Sequence, residues 1–316
     1  MLTKTLKTIT NAIKKGDFVS KIFCWVFIKM GYSNMAVQAL EVRNKNYLYL
    51  ERHYGKICNE IIKSNRDKKV SCNEFEENYN VWFCWLQGLE EAPDIVKRCY
   101  ESVKINLNEK KLHFITKKNL SKYISFPVWI IEKWEKGIIS NTCMSDMIRL
   151  QLLIKYGGLW IDATTYLTGP IPEYITMNEL FMYTHSSQDD ITISFNNWLI
   201  YAEKGNFILK SIRDMMFEYW KKETKIREYF IFHLFVTMIK NRCPKEFESI
   251  PYISDEIPEM LAKVCFKAYN EEFWLELKKI TSIHKLSTKF AVPEKYEGTY
   301  YDYLIKNIGI NDNGKI

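Results

Sequence analysis

The stretch from Ser145 to Pro170 concentrates side chains suited to a polyhydroxylated, anionic ligand. Asp146 and Arg149 are three residues apart, which on a helix puts them on one face. A carboxylate accepts hydrogen bonds and a guanidinium donates them, so the pair can grip sugar hydroxyls. The same spacing also makes an ordinary surface ion pair, worth about 0.3 kcal/mol. Asp162 follows an apolar run and could hold Mg2+ or Mn2+, with Thr164 adding a hydroxyl. A capping or turn aspartate, and a threonine present for its strand propensity, are the plain alternatives.

Three further groups lie outside that stretch. Trp85 sits in the apolar run Val81–Leu86, just before Gln87-Gly88, where an indole can stack on a nucleotide base for about 1–3 kcal/mol. Trp82 falls on the other phase of the run and reads as core. Ser282-Ile283-His284-Lys285 offers an imidazole as a third metal ligand and an ammonium for a diphosphate. A structural histidine is the alternative there. Asn197 is a lesser candidate for lining the sugar site.

These groups need elements that carry distant segments to one place. The helix bearing Asp146 and Arg149 ends at Gly157 and Gly158, the first expected in the left-handed conformation. A short strand, Leu159 to Ile161, then delivers Asp162 at its carboxyl end, the end at which open α/β sheets bind ligands. Upstream, Val81–Leu86, a helix from Asp94 to about Asn106 and Leu112–Thr116 read as a βαβ unit with a parallel pair. Pro127 separates short helices at Asn119–Ile124 and Val128–Lys136. Strands follow at Leu180–Thr184 and Ile191–Phe195. Helices are expected at Phe207–Lys221, Tyr229–Asn241, Asp255–Ala268 and Glu271–Lys279, and an extended segment at Ile283–Lys289. The fold class is α/β, with residues 1–75 as a helical, basic region before the main fold and Ser64–Asn73 as connector.

Composition limits the options. The chain has 316 residues, 47% of them hydrophobic, with only 12 Gly and 8 Pro, which describes a cored globule rather than a disordered chain. Net charge is +7 and uneven: residues 1–75 hold 14 Lys/Arg against 6 Asp/Glu, the remainder 31 against 32. A basic segment on a balanced body points to an anionic surface, either phospholipid or nucleic acid, or to a solvated helical face. Nucleic acid is the weaker option, because no aromatic stacking motif is interleaved with the basic residues. The 8 Cys show no Cys-x-x-Cys pair and several sit in apolar runs, as reduced core residues do. Met1–Lys15 lacks an apolar core, so no cleavable signal is expected. Ile22–Met30, broken by Lys29, is too short to span a bilayer but could lie on one.

Taken together, Val81–Gly88 with Glu91-Ala92-Pro93, Ser145-Asp146 with Arg149, Tyr156-Gly157-Gly158-Leu159-Trp160-Ile161-Asp162-Ala163-Thr164 and Ile283-His284-Lys285-Leu286 resemble the capsular polysaccharide synthesis family. These are bacterial glycosyltransferases related to family 32, whose sugar-binding region contains an Asp-x-Asp motif. The resemblance covers about residues 78–290. It implies a GT-A fold over residues 76–316: a Rossmann-like nucleotide-binding sheet flanked by helices. It implies a nucleotide-sugar donor, usually a UDP-sugar, and retention of anomeric configuration. Trp85 would stack on the base, Asp146 and Arg149 would hold the donor sugar, and Asp162 and position 164 would bind a divalent cation, Mn2+ or Mg2+. Gly157, Gly158, Asn197 and Lys285 would complete the donor site. Thr164 stands where the wider pattern has a second acid, so Asp162 would share the cation with the phosphates, Thr164 and His284. The expected acceptor is a polyprenyl-phosphate-linked oligosaccharide, and the expected location is the cytoplasmic face of the cell membrane, held peripherally. A phosphosugar transferase and a catalytically inactive polysaccharide- or lipid-binding scaffold are the alternatives.

Overall fold

Both faces of the central sheet in the computed structural model are covered, and the alternation of the strand side chains shows why. Residues 30, 35–66, 79–107, 111–185 and 193–306 are described. Met1–Lys15, nearly all of Ile22–Met30 and most of Ser64–Asn73 lie outside them. The chain runs α1 (Met35–Arg66), β1 (Val81–Cys84), α2 (Asp94–Asn106), β2 (Leu112–Ile115), α3 (Leu120–Tyr123) and α4 (Val128–Glu135). Next come α5 (Asn141–Tyr156), β3 (Gly158–Ile161), β4 (Thr165–Leu167), α6 (Glu173–Thr176), β5 (Leu180–Thr184) and β6 (Phe195–Ala202). The remainder is α7 (Phe207–Lys222), α8 (Ile231–Lys240), α9 (Pro244–Glu248), α10 (Met260–Val264), α11 (Glu271–Ile280), β7 (Ile283–Lys285) and α12 (Tyr300–Lys306).

One sheet has the order β2-β1-β3-β6-β5. β1 pairs in parallel with β2 and β3, while β6 runs antiparallel to both β3 and β5. Four strands therefore point one way and β6 the other. The expected β1-α2-β2 crossover is present, with Val81 opposite Leu112. Along β1 and β3, Val81, Phe83, Leu159 and Ile161 turn to one core, while Trp82, Cys84 and Trp160 turn to the other. This is the two-residue period of a strand buried on both faces. Helices α1, α5, α7 and α8 cover the tryptophan face. Helices α2, α11 and α12, with the small antiparallel pair β4–β7, cover the opposite one.

Helix α1 belongs to this body rather than standing apart from it. Leu50, Tyr54, Cys58 and Ile62 recur every four residues and enter the tryptophan-side core. Arg242 forks onto Glu51 at 2.8 and 2.6 Å, and the Tyr54 hydroxyl donates to Glu223 at 2.9 Å. Lys45, Arg52, Lys56 and Lys63 lie on the solvent side of this docked helix.

Two expected elements differ. Of the strand expected at Ile191–Phe195, residues 191 and 192 lie outside the described residues, and β6 starts at Phe195 and runs to Ala202. The helix expected over Asp255–Ala268 shrinks to α10. Pro258 cannot donate a helical hydrogen bond, and the segment is tied to strands instead. Asp255 N–H donates to Thr184 O at 3.1 Å, and Lys285 N–H donates to Pro258 O at 2.8 Å.

The glycine pair closes α5 and opens β3. Gly157 and Gly158 have φ of 69° and 100°. A Cβ on Gly158 would lie 2.2 Å from Asn80 O, and one on Gly157 would lie 2.9 Å from Lys204 N. Only glycine combines these backbone angles with this closeness.

Candidate active site

Each strand direction determines which residues meet at one edge of the sheet. Trp85 leaves the carboxyl end of β1, Asp162 that of β3 and His185 that of β5. Because β6 is reversed, its first residues, including Asn196 and Asn197, arrive at the same edge. Asp162 N–H donates to Trp198 O at 2.8 Å, locking the end of β3 to β6.

From α5, Asp146 and Arg149 point to this edge, and both are buried. Ser140 caps the helix by accepting from Cys143 N–H. The Arg149 guanidinium lies 3.1 Å from Asp146 Oδ1 and 4.9 Å from the centre of the Trp160 ring. It also donates to the Asn197 carbonyl. Asn197 Nδ2 donates to Asp146 Oδ1 at 2.9 Å. The surface-pair alternative for Asp146 and Arg149 is thereby excluded: the pair is interior and joined to β6. Burial pushes the Asp146 carboxyl up to about 6, with Arg149 opposing and Asp162 adding to the rise.

Asp162 has the opposite environment. Burial alone would raise its pKa, but Lys285, Arg149 and hydrogen bonds from Lys285 and Thr164 hold it below the usual value. Lys285 Nζ is 2.6 Å from Asp162 Oδ2 and also donates to Thr164 Oγ1. Thr164 Oγ1 donates to Asp162 Oδ2 at 2.9 Å. The β4–β7 pair makes this link: Thr165 registers with Lys285, and Leu286 N–H donates to Thr164 O at 2.8 Å.

That register settles where His284 points. Neighbouring residues of a strand face opposite sides, so with Lys285 turned to Asp162 its imidazole turns away. It is fully buried against Trp274 and Tyr166, with Nε2 3.1 Å from Thr168 Oγ1. Burial lowers its pKa to about 3. Asp162 and Thr164 are brought together, whereas His284 is not brought to them. Among the described residues no three His, Cys, Asp or Glu side chains are grouped to hold a metal. An ion bridging Asp162 Oδ2 and Thr164 Oγ1 would need the position that the Lys285 ammonium fills, since Nζ bonds both oxygens. The residues present do not fit a resident divalent ion while Lys285 holds this position.

Gly157 and Gly158 are also apart from the site. They lie at the amino end of β3, the opposite end of the strand from Asp162, and their place is explained by the backbone of Asn80 and Lys204. Trp85, half-buried, follows β1 directly, its backbone N–H donating to Ile115 O at 3.0 Å. A cavity of about 860 Å³ with Glu179, Glu203, Lys204, Asn206 and Lys245 in its wall opens at the far edge and takes no part in this cluster.

One group at the edge had no signal in the sequence. His185 Nδ1 lies 3.4 Å from Asp255 Oδ2, and Asn196 Nδ2 donates to the same oxygen. Asp255 is buried and His185 is partly open. These residues come from three elements with no common spacing, and Asp255 fell in a segment expected to be helical. The pairing of β5 with β6 brings His185 beside Asn196, and the Asp255 N–H bond to Thr184 O adds Asp255.

A family model described as "Capsular polysaccharide synthesis protein" matches residues 32–304. No curated protein matches the chain. Among solved structures it is similar to one titled "PaToxG Glycosyltransferase", with 14% identity, a TM-score of 0.38, and coverage of 65% of this chain and 83% of that one.

Proposed function

Because the chain belongs to the capsular polysaccharide synthesis protein family, we propose that it is a glycosyltransferase of GT-A type that extends a surface polysaccharide from a nucleotide sugar, in the first instance a UDP-sugar. The observation that supports this most strongly is the convergence at one sheet edge of Trp85, the Asp146–Arg149–Asn197 group and the Asp162–Thr164–Lys285 group. They supply an aromatic ring, a carboxylate–guanidinium pair and a cation, chemistry that suits a base, a sugar and a diphosphate.

In this reading Trp85 stacks on the base. Asp146 accepts from sugar hydroxyls while Arg149 orients it, and Lys285 offsets charge developing on the departing diphosphate. The bond from the anomeric carbon to the diphosphate oxygen breaks, and the acceptor oxygen bonds to that carbon on the same face. The acceptor proton leaves with the diphosphate, so configuration is retained without a covalent enzyme intermediate. The acceptor is an oligosaccharide on a polyprenyl phosphate, and the enzyme works at the inner membrane face with its basic helix towards anionic lipid. Among the described residues no helix is long and apolar enough to cross a membrane.

Product analysis tests the proposal. The purified chain is incubated with UDP-hexoses and a lipid-linked acceptor fraction, and the released nucleotide and product anomer are identified. Release of UDP with a retained anomer is expected. Release of the monophosphate would indicate phosphosugar transfer, and UDP binding with no turnover would indicate a scaffold.

A further inference from the structure

The acceptors around Lys285 Nζ are three oxygens of three kinds. Asp162 contributes a carboxylate at 2.6 Å, Thr164 a hydroxyl and Leu286 a carbonyl at 3.3 Å. Hard cations take such oxygens, and an ammonium has three N–H bonds to give them. We infer that Lys285 is the resident cation of this site, standing where a divalent ion would bridge Asp162 and Thr164, so that a diphosphate binds without metal. This rests on the nucleotide-sugar reading above and deepens it.

Several observations fix the ammonium in that role. The β4–β7 register holds its backbone from one side and the Pro258 carbonyl from the other, so Lys285 reaches Asp162 along a defined path. The pair is accessible from the sheet edge, with side chains 18% exposed for Lys285 and 30% for Asp162. Its longest bond, to the Leu286 carbonyl, is the one a phosphate oxygen can replace at least cost. Thr164 in place of a second acid suits this arrangement: one carboxylate balances one ammonium, whereas two would leave excess negative charge facing a diphosphate. His284, the remaining candidate ligand, is held in the core by Trp274, Tyr166 and Thr168.

Calorimetry on the full chain tests the inference, using UDP and UMP as probes in EDTA and again in excess Mn2+. The wild-type affinity for UDP is expected to agree within about twofold between the two conditions. Lys285→Met is expected to weaken UDP binding roughly tenfold to a hundredfold, the loss of one charge-assisted contact, and UMP binding far less. Lys285→Arg should recover part of the UDP affinity. UDP binding that needs Mn2+ would overturn the inference and leave the nucleotide-sugar reading standing. Equal UDP affinity in Lys285→Met and wild type would also overturn it. UDP binding in neither condition would remove both. The wild-type comparison requires no variant to fold.

Discussion

Asp146 illustrates how one buried carboxyl can set a pH limit. It has an Arg149 partner at 3.1 Å and an Asn197 donor at 2.9 Å, yet loss of hydration outweighs both and moves its pKa from 3.8 to about 6. The native state therefore binds a proton more tightly than the unfolded chain does. The resulting stability is present in full below the ordinary carboxyl pKa and is lost as pH rises through about 6. Sugar binding runs the other way, because only the carboxylate accepts hydroxyl hydrogen bonds without a proton of its own. With a UDP-sugar as substrate, kcat/KM is expected to fall about tenfold per pH unit below pH 6. Asp146→Asn should be slow at all pH values and show no such limb; a limb that survives the substitution would assign the titration elsewhere. The spacing of Asp146 and Arg149 was legible in the chain, but their burial was not. Spacing reports a helix face, and only the arrival of β6 with Asn197 makes that face interior. The Lys285–Asp162 link was equally hidden, since 123 residues separate the two and β4 had no distinct signal.

Among the elements, β3 depends most narrowly on its sequence. Gly158 has φ of 100° and leaves no space for a Cβ beside Asn80 O. Gly158→Ala should destabilise the protein by roughly 2–4 kcal/mol, combining a left-handed backbone with overpacking. A melting temperature equal to that of the wild type would show that β1 can shift to admit the methyl group. The glycine pair was legible as a turn. Its assignment to the ligand site failed because a strand has two ends, and the pair occupies the end away from Asp162. The βαβ unit from β1 to β2, the strands β3 and β5 and the helices α5, α7 and α11 were readable from apolar period and capping residues. β6 was placed too early, because Asn196 and Asn197 resemble a turn in sequence while their side chains serve Asp255 and Asp146. The segment after Asp255 was read as helix across Pro258, where carbonyl and amide groups instead join strands.

For the whole molecule, charge and core tell different stories about the amino-terminal region. The excess of Lys/Arg over Asp/Glu in residues 1–75 suggested a separate basic extension. In the fold α1 contributes Leu50, Tyr54, Cys58 and Ile62 to the main core, and Lys45, Arg52, Lys56 and Lys63 remain exposed. A docked basic helix can serve as a lipid-facing surface. The full chain is expected to sediment with vesicles containing anionic phospholipid and to be released as salt rises towards 1 M, where screening acts within about 3 Å. Equal sedimentation with neutral vesicles would remove charge from the explanation. The sheet edge is itself a property of the whole molecule, since it joins segments from residues 85 to 285.

The account as a whole depends on that edge being where a diphosphate leaves. Release of UDP from a UDP-sugar by the full chain, compared with Asp162→Asn of unchanged melting temperature, measures this directly. Without its carboxylate partner the Lys285 ammonium is no longer held in place, and a loss of about 100-fold in kcat/KM is predicted, the scale of an ångström-level misplacement. A variant that releases UDP at the wild-type rate would contradict the account.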